Sequence, residues 1–385
     1  SLTIDPVTVL EHMKQNGVYD ENTSRNYVLQ LMEITPTAAN VKEYVAIVKD
    51  KALLRRIAET AGELTAMVQE GTGTAQEVLE AAEQRIYAIR QGRSAQGLAH
   101  ISSVILNVYE RLNELAASDS AVPGLSTGLP DVDMAISGLN KSDLILLAAR
   151  PGMGKTSMAL NILLNAGKKS GKNVAFFSLE MPREQLANRM LCGEAHVDMQ
   201  SVRQGSLTDE DWLRLADALG PLAQSPIYFD DTSSITIPEM RSRCRRMQME
   251  HGLDLIMVDY LQLMSSTGRN ESRQNEVSDL SRQLKLLALE LKIPIIVGSQ
   301  LSRGAAQRQD HRPILSDLRD SGAIEQDADT VMFLHREDYY NPETEDKNIA
   351  EVIVQKQRNG PLGTVRLGWE ARFTRFFNLT DQVEP

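Results

Sequence analysis

The sequence predicts an α/β fold with a mostly parallel sheet and C-terminal antiparallel strands, preceded by a small all-α region. Three observations carry this prediction. From residue 125 onward, short apolar strands alternate with helical segments, which is the pattern of a parallel sheet covered on both faces. A glycine-containing segment, residues 149–156, lies between an apolar strand and an amphipathic helix. Residues 1–91 instead show apolar side chains at helical spacing, with a break at residues 71–73.

Composition and charge narrow the class of protein. A chain of 385 residues is long enough for a sheet domain and a smaller helical one. A formal net charge of −11 argues against a general nucleic-acid coat protein but allows a narrow basic channel. Cys192 and Cys244 have no metal-ligand spacing, which favours a reducing cytoplasm. No signal peptide or apolar run of spanning length is visible, so we expect no membrane partner.

The pattern divides the chain into three predicted parts. Residues 1–93 form a helical domain that opens in mid-domain at Ser1, so we expect the natural protein to start earlier. Residues 94–124 form a linker around an amphipathic helix whose apolar stripe runs from Ile101 to Leu115. That stripe must be covered by its own domain or by a neighbouring subunit. Residues 125–385 form the sheet domain.

Within the sheet domain the predicted strands are apolar and short. We predict parallel strands at residues 144–149, 174–179, 227–230, 255–259, 295–299 and 330–334. A different texture closes the chain, where residues 349–355, 363–369 and 373–379 flank turn signals and predict antiparallel strands.

The segment at residues 149–156 is typical of a phosphate-binding loop. A strand, a tight turn and a helix N-terminus aim backbone N–H groups at one point, where a di- or triphosphate binds. Lys155 supplies an ammonium for the β- and γ-phosphates, and the hydroxyl of Thr156 can ligate Mg²⁺. The flanking strand and helix disfavour a glycine turn that only packs. Ala149 replaces the usual first glycine, so we expect a negative φ there. The predicted nucleotide-binding residues are Pro151, Gly152, Met153, Gly154, Lys155, Thr156 and Ser157.

Three polar side chains follow three buried strands, and ligands of a doubly wound sheet bind at that edge. Asp259 is the predicted carboxylate for the Mg²⁺ site, although a helix cap or turn residue is the plain alternative. Glu180 is the predicted general base for attack on the γ-phosphate, although a surface glutamate after a strand is common. Gln300 is the predicted γ-phosphate sensor, with a loop-capping amide as the alternative. Hydrolysis of a Mg-nucleoside triphosphate is the reaction inferred.

Two basic segments lie outside this set. Lys356 and Arg358 follow a strand beside a turn, and either they complete the nucleotide site of another subunit or they are a solvated pair at a hairpin tip. Residues 319–322 combine a cation, a glycine and exposed backbone, which suits the phosphates of a single strand but also a plain surface loop. The arginines at residues 241–246 are interpreted mainly as a solvated helix face. Aromatic residues make up only 5% of the chain, so binding should be directed at the backbone of the strand.

Six segments together resemble the DnaB family of bacterial replicative DNA helicases: residues 149–156, 177–181, 258–263, 299–301, 317–329 and 356–361. The resemblance implies a RecA-like motor domain in a homohexameric ring, with ATP and Mg²⁺ bound between subunits and single-stranded DNA in the channel. Primase and a helicase loader are implied as partners at the replication fork, and 5′-to-3′ movement as the direction.

By that resemblance, further residues gain roles. Arg189 lies near the phosphates, and Lys356 and Arg358 complete the neighbour's site. Arg319, Asp320 and Gly322 track the DNA backbone, with Asp320 standing where the family often has a longer glutamate. The stripe of residues 101–115 docks on the adjacent subunit.

Two other classes stay open at this point. A strand-exchange recombinase of the RecA class shares the fold but forms filaments, and a nucleotide-dependent assembly switch would bind ATP without unwinding. The helical N-terminal part, the linker helix and the loop at residues 319–322 favour the helicase.

Overall fold

The computed structural model describes residues 6–20, 23–28, 41–71, 74–90, 100–117, 122–265, 273–302, 304, 308, 310–318 and 322–379. The chain divides into two compact units, residues 1–99 and 100–385. Within the described ranges, no helix is both long enough and apolar enough to cross a membrane.

The first unit is helical. It contains α1 (Pro6–Gln15), α2 (Val41–Glu70) and α3 (Ala75–Arg90). Helices α2 and α3 pack against each other after a turn at Gly71, whose φ is 64°. Arg85 reinforces the pair by donating to Glu63 at 3.1 Å. The predicted helix at residues 75–90 is confirmed.

The second unit opens with α4 (Ile101–Ala117), which is the predicted linker helix. Its apolar side chains are exposed within the single chain, including Ile101, Ile105, Val108 and Leu112. An amphipathic helix is stable only when its apolar stripe is covered, so this face is built for a partner surface. Residues 91–97 and 118–121 of the predicted linkers lie outside the described part of the chain.

One nine-stranded sheet forms the centre of the second unit, in the order β3-β2-β4-β5-β1-β6-β7-β8-β9. The strands are β1 (Leu144–Ala149), β2 (Val174–Ser178), β3 (Ile227–Asp230), β4 (Leu255–Asp259), β5 (Ile295–Gln300), β6 (Thr330–His335), β7 (Ile349–Gln357), β8 (Gly363–Glu370) and β9 (Arg375–Asn378). The first six pair in parallel, and β6 to β9 pair antiparallel. The predicted fold class is confirmed, and each predicted strand is found within two residues of its expected ends.

Helices cover the sheet and connect its strands. They are α5 (Pro130–Ile136), α6 (Lys155–Leu164), α7 (Arg183–Ala195), α8 (Met199–Gln204), α9 (Asp209–Ala223), α10 (Ile237–Glu250), α11 (Arg273–Leu291) and α12 (Gly322–Asp327), with a π-helical turn at Asn165–Lys169. Capping boxes start two of them, because Thr208 and Thr236 exchange hydrogen bonds with the acidic residue three positions later.

The core lies on both faces of the parallel strands. Every residue of β1, β2 and β4 is buried, which explains why these strands are continuous apolar runs in the sequence. The arginine-rich helix α10 differs from the prediction. Arg245 is only 7% exposed and pairs with Glu290 at 2.6 Å, so the interpretation of this helix face as solvated is wrong there. Burial of the guanidinium is tolerable because its charge is paired.

Candidate functional site

The phosphate-binding loop joins β1 to α6, and its two glycines are required by geometry. Gly152 and Gly154 have φ of 84° and 99°, in the left-handed region where other residues are strained. A Cβ atom would also lie 2.8 Å from Tyr339 at the first position and 2.8 Å from Phe376 at the second. Ala149 lies in the extended backbone of β1, as predicted. The helix begins at Lys155, two residues earlier than expected.

Asp259 meets the loop from two strands away. Its Oδ1 lies 2.7 Å from the Lys155 ammonium, and its Oδ2 accepts a 2.7 Å hydrogen bond from the Thr156 hydroxyl. The carboxylate is 3% exposed and is held by these two partners. The plain alternative of a helix cap or turn residue is therefore not its role within this fold.

Gly298, which the sequence analysis missed, makes this contact possible. It lies on β5, between β4 and β1, and a Cβ there would stand 2.8 Å from Asp259 Oδ1 and 3.2 Å from the Lys155 ammonium. A glycine inside an apolar strand often marks such a close approach, so the run of residues 295–299 carried the signal.

Glu180 and Gln300 line the same cleft as the phosphate-binding loop. Glu180 follows β2 and is exposed, while Gln300 ends β5. The backbone N–H of Gln300 donates to Gln262 at 3.5 Å. Tyr260 faces the Lys155 ammonium with its ring, 4.3 Å from the ring centroid. Burial, together with the charges of Glu180 and Asp259, raises the pKa of Tyr260 and keeps the phenol neutral.

The cleft has a volume of about 800 Å³ and a cationic wall. Arg189 is half-buried there, and its pKa is lowered by burial and by Arg203, while Asp259 and Glu180 oppose the shift. Arg203 and Arg372 also line the cleft, and both were missed. They come from α8 and from the β8–β9 turn, which are unremarkable in sequence and reach the cleft only through packing. A polyanion such as a triphosphate fits this set of charges.

Lys356 and Arg358 lie at the opposite end of the central strands. Thr330, the first residue of β6, pairs with Gln357, while the loop leaves β1 at the other end. A six-residue strand spans about 20 Å, so these cations and Lys155 of one chain are about that far apart. One subunit therefore cannot bring them to its own loop.

Both cations have partners within the chain. The Lys356 ammonium donates to the carbonyls of Glu325, Gln326 and Ala328 at 2.5, 3.1 and 2.7 Å. Arg358 pairs with Asp329 at 3.2 Å and donates to Gln326 at 3.1 Å. Burial and the neighbouring Arg358 lower the pKa of Lys356. The alternative of a solvated pair at a hairpin tip does not describe Lys356, although the Arg358 side chain is 48% exposed.

Of the three residues predicted to bind DNA, Gly322 is the first residue of α12. Arg319 and Asp320 lie outside the described residues.

The comparison with protein families decides the identity of this fold and cleft. The family model of the DnaB-like helicase C-terminal domain matches residues 124–378, and that of the DnaB-like helicase N-terminal domain matches residues 1–50. The chain belongs to the DnaB-like helicase family. The resemblance seen in the sequence is confirmed, and this DnaB-like helicase is an enzyme of the class that hydrolyses ATP to unwind DNA.

Individual relatives agree with the family models. The chain is 45% identical to the replicative DNA helicase DnaB of Geobacillus stearothermophilus over 380 residues, covering 98% of this chain and 83% of that protein. The same figures hold for the replicative DNA helicase DnaC of Bacillus subtilis (strain 168).

Two solved structures are similar to this helicase. One is a separately solved ATPase domain, which matches with a TM-score of 0.70 and 38% identity, over 74% of this chain and all of that one. The other is a DnaB-like replicative helicase, described with its interactions with primase, which matches with a TM-score of 0.73 and 31% identity, over 98% of this chain and 88% of that one.

Proposed function

We propose that this helicase hydrolyses Mg-ATP between the subunits of a homohexameric ring and thereby moves along single-stranded DNA at the replication fork. The observation that carries the proposal is the separation of the two charged sets. The loop with Lys155 and Asp259 lies at one end of the central strands, and Lys356 with Arg358 lies at the other. A head-to-tail arrangement of subunits brings the two ends together.

In this proposal the loop residues 151–157 bind the phosphates through backbone N–H groups, and Lys155 and Arg189 neutralise their charge. Thr156 and Asp259 fit Mg²⁺, because a hydroxyl and a buried carboxylate are adjacent oxygen ligands of the kind this ion prefers. When bound, Mg²⁺ supplies positive charge to the phosphate oxygens. Lys155 must exchange its ion pair with Asp259 for the phosphates during this binding.

Glu180 is the proposed general base, since it is exposed to the cleft and has a free path to a water molecule on the phosphate side. Gln300 is the proposed sensor of the γ-phosphate, placed at the end of the strand next to β1. Arg358 is the proposed arginine finger in trans, with Lys356 beside it.

The DNA-binding role of Arg319, Asp320 and Gly322 is proposed from their sequence context and from the start of α12 at Gly322. The exposed stripe of α4 supports docking on an adjacent subunit. The three-part division at residues 93 and 124 and the 5′-to-3′ direction belong to the same proposal. So does the cytoplasmic location, which rests on the two free cysteines.

Primase and a loader are proposed partners. A structural relative covering 98% of this chain is described with primase interactions, which supports the first. The loader rests on the family resemblance.

The direct test uses purified protein, ATP and a forked duplex with a 5′ single-stranded arm. We expect ATPase activity that single-stranded DNA stimulates, together with displacement of one strand. Hydrolysis without displacement by particles seen as closed rings in electron micrographs would contradict the motor and favour the assembly switch. Filaments on DNA in place of rings would favour the strand-exchange alternative.

A further inference from the structure

Helix α12 connects two regions that the proposed function keeps separate. It begins at Gly322, the last of the predicted DNA-binding residues, and ends at Asp327. Its carboxyl end lies against the end of β7, where Lys356 and Arg358 stand. A change at one end of this short helix is therefore close to both the DNA loop and the finger residues.

Lys356 acts as the cap of α12 in this structure. The last carbonyl groups of a helix have no partner within the helix and carry partial negative charge. The ammonium of Lys356 meets three such oxygens, on Glu325, Gln326 and Ala328. A lysine has three N–H donors, so all of its hydrogen-bonding capacity is used by this one helix end.

The remaining contacts of α12 hold its body in place. Asp327 accepts a hydrogen bond from Ser281 of α11, and Ile324 is buried. Arg358 adds one bond to Gln326 but directs the rest of its guanidinium to Asp329, which Lys285 and the backbone N–H of Leu144 also hold. The two cations thus differ, because Lys356 is bound to α12 alone, whereas Arg358 is bound mainly to the start of the central strands.

We infer that Lys356 is a positioning residue that alternates between the carboxyl end of α12 and the nucleotide of the neighbouring subunit. The inference rests on the proposed function, in which that nucleotide lies opposite β7. An ammonium whose three protons are engaged cannot bind a phosphate without leaving the helix. A triphosphate in the neighbour's cleft therefore uncaps α12, and its loss lets Lys356 restore the cap, which couples the neighbour's nucleotide to the DNA loop that precedes the helix.

The test compares the affinity for a fluorescent oligo-dT strand with a non-hydrolysable ATP analogue and with ADP. We expect the wild-type ring to show a ratio of dissociation constants of about fivefold or more between the two states, as is usual for coupled sites. Lys356→Met should reduce this ratio to less than about twofold, and Lys356→Arg should restore part of it because a guanidinium can also cap carbonyls. A wild-type ratio near one, or a normal ratio in Lys356→Met, would overturn the inference.

Hydrogen exchange of the α12 amides gives a readout that does not depend on DNA. Wild-type amides should exchange faster with the ATP analogue than with ADP, whereas Lys356→Met should exchange fast in both states. Equal exchange in all four samples would overturn the inference.

Two further variants separate this inference from the proposed function. Arg358→Ala should lose hydrolysis and yet keep the nucleotide-dependent affinity, and loss of that dependence there but not in Lys356→Met would assign the coupling to the arginine. Arg319→Ala should weaken binding in both nucleotide states. If it leaves binding unchanged while α12 exchange still follows Lys356, the DNA assignment fails and the positioning role stands.

Discussion

The two ends of the central strands hold their charges in different ways. At the P-loop edge, where β1, β4 and β5 end, Lys155 and Asp259 pair beside an open cleft, and glycines make room for them. At the finger edge, where β6 begins and β7 ends, Lys356 and Arg358 are bonded to carbonyls and to Asp329 of their own chain. One set faces a ligand, and the other is satisfied inside the subunit.

This difference teaches where binding energy must be exchanged. The P-loop edge is preorganised, so a triphosphate finds donors already aimed at it. The finger edge gives up charge-assisted hydrogen bonds before it can help a neighbour, and such bonds contribute about 1.5–3 kcal/mol each. Catalysis at the interface should therefore depend strongly on the finger edge and be sensitive to its local partners.

The largest expected effect comes from Arg358→Ala. Loss of an arginine finger costs about 10³–10⁵-fold in kcat, because charge developing on the transferred phosphoryl group is no longer neutralised. ATP turnover in the presence of single-stranded DNA measures it. Arg366→Ala is the control, since Arg366 is a half-exposed arginine on β8 that pairs with Asp346.

Mixing variants sharpens the comparison of the edges. Rings assembled from Arg358→Ala and Lys155→Ala subunits should recover part of the hydrolysis, because some interfaces pair an intact finger with an intact loop. Complete absence of recovery in mixed rings verified by mass would show that both residues act within one subunit.

Glu180→Gln should lower kcat by about 10²–10⁴-fold, the usual contribution of a general base. Binding of a fluorescent ATP analogue should be nearly unchanged, since the amide keeps the size of the side chain. Glu184→Gln, on the exposed start of α7, is the control. Equal loss of binding and turnover in Glu180→Gln would argue for a role in nucleotide binding alone.

Gly298→Ala tests the preorganisation of the P-loop edge. The added Cβ would stand 2.8 Å from Asp259 Oδ1, and overpacking of this kind costs about 1–3 kcal/mol. We expect nucleotide affinity, measured by calorimetry with Mg-ATP analogue, to fall by about tenfold to a hundredfold. Gly363→Ala on β8 is matched, because nothing lies within 4 Å of its added Cβ. Equal affinities in the two variants would show that Asp259 adjusts freely.

The smallest expected effect is that of Arg319→Ala on DNA. Removal of one phosphate contact should weaken single-strand binding by about fivefold to tenfold and reduce the dependence on salt concentration. DNA-free ATPase should change little. Arg312→Ala is the control, because that arginine pairs with Glu351 at 2.9 Å. Unchanged binding across a salt titration would exclude Arg319 from the DNA site.

The strands could be predicted from the sequence because buried parallel strands are apolar along their whole length. The loop at residues 149–156 could be predicted as well, since Gly152, Gly154, Lys155 and Thr156 are adjacent and the chemistry is local. Even the partnership of Thr156 with Asp259 followed from the rule that strand ends gather at one edge.

What the sequence could not provide depends on packing between distant segments. The 2.7 Å contact of Thr156 with Asp259 joins residues 103 positions apart, and the space for it is made by Gly298 on a third strand. The bonds of Lys356 to α12 likewise depend on the antiparallel pairing of β7 with β6. Arg245 was assigned to solvent because its partner, Glu290, lies on another helix.

The placement of the loop and the finger at opposite ends of the strands fixes a count. In an open row of n head-to-tail subunits only n − 1 sites are complete, because the first loop or the last finger has no counterpart. Closing the row supplies the missing interface without any new contact type. Turnover per subunit would then report directly on whether the assembly is open or closed, with short open rows penalised most.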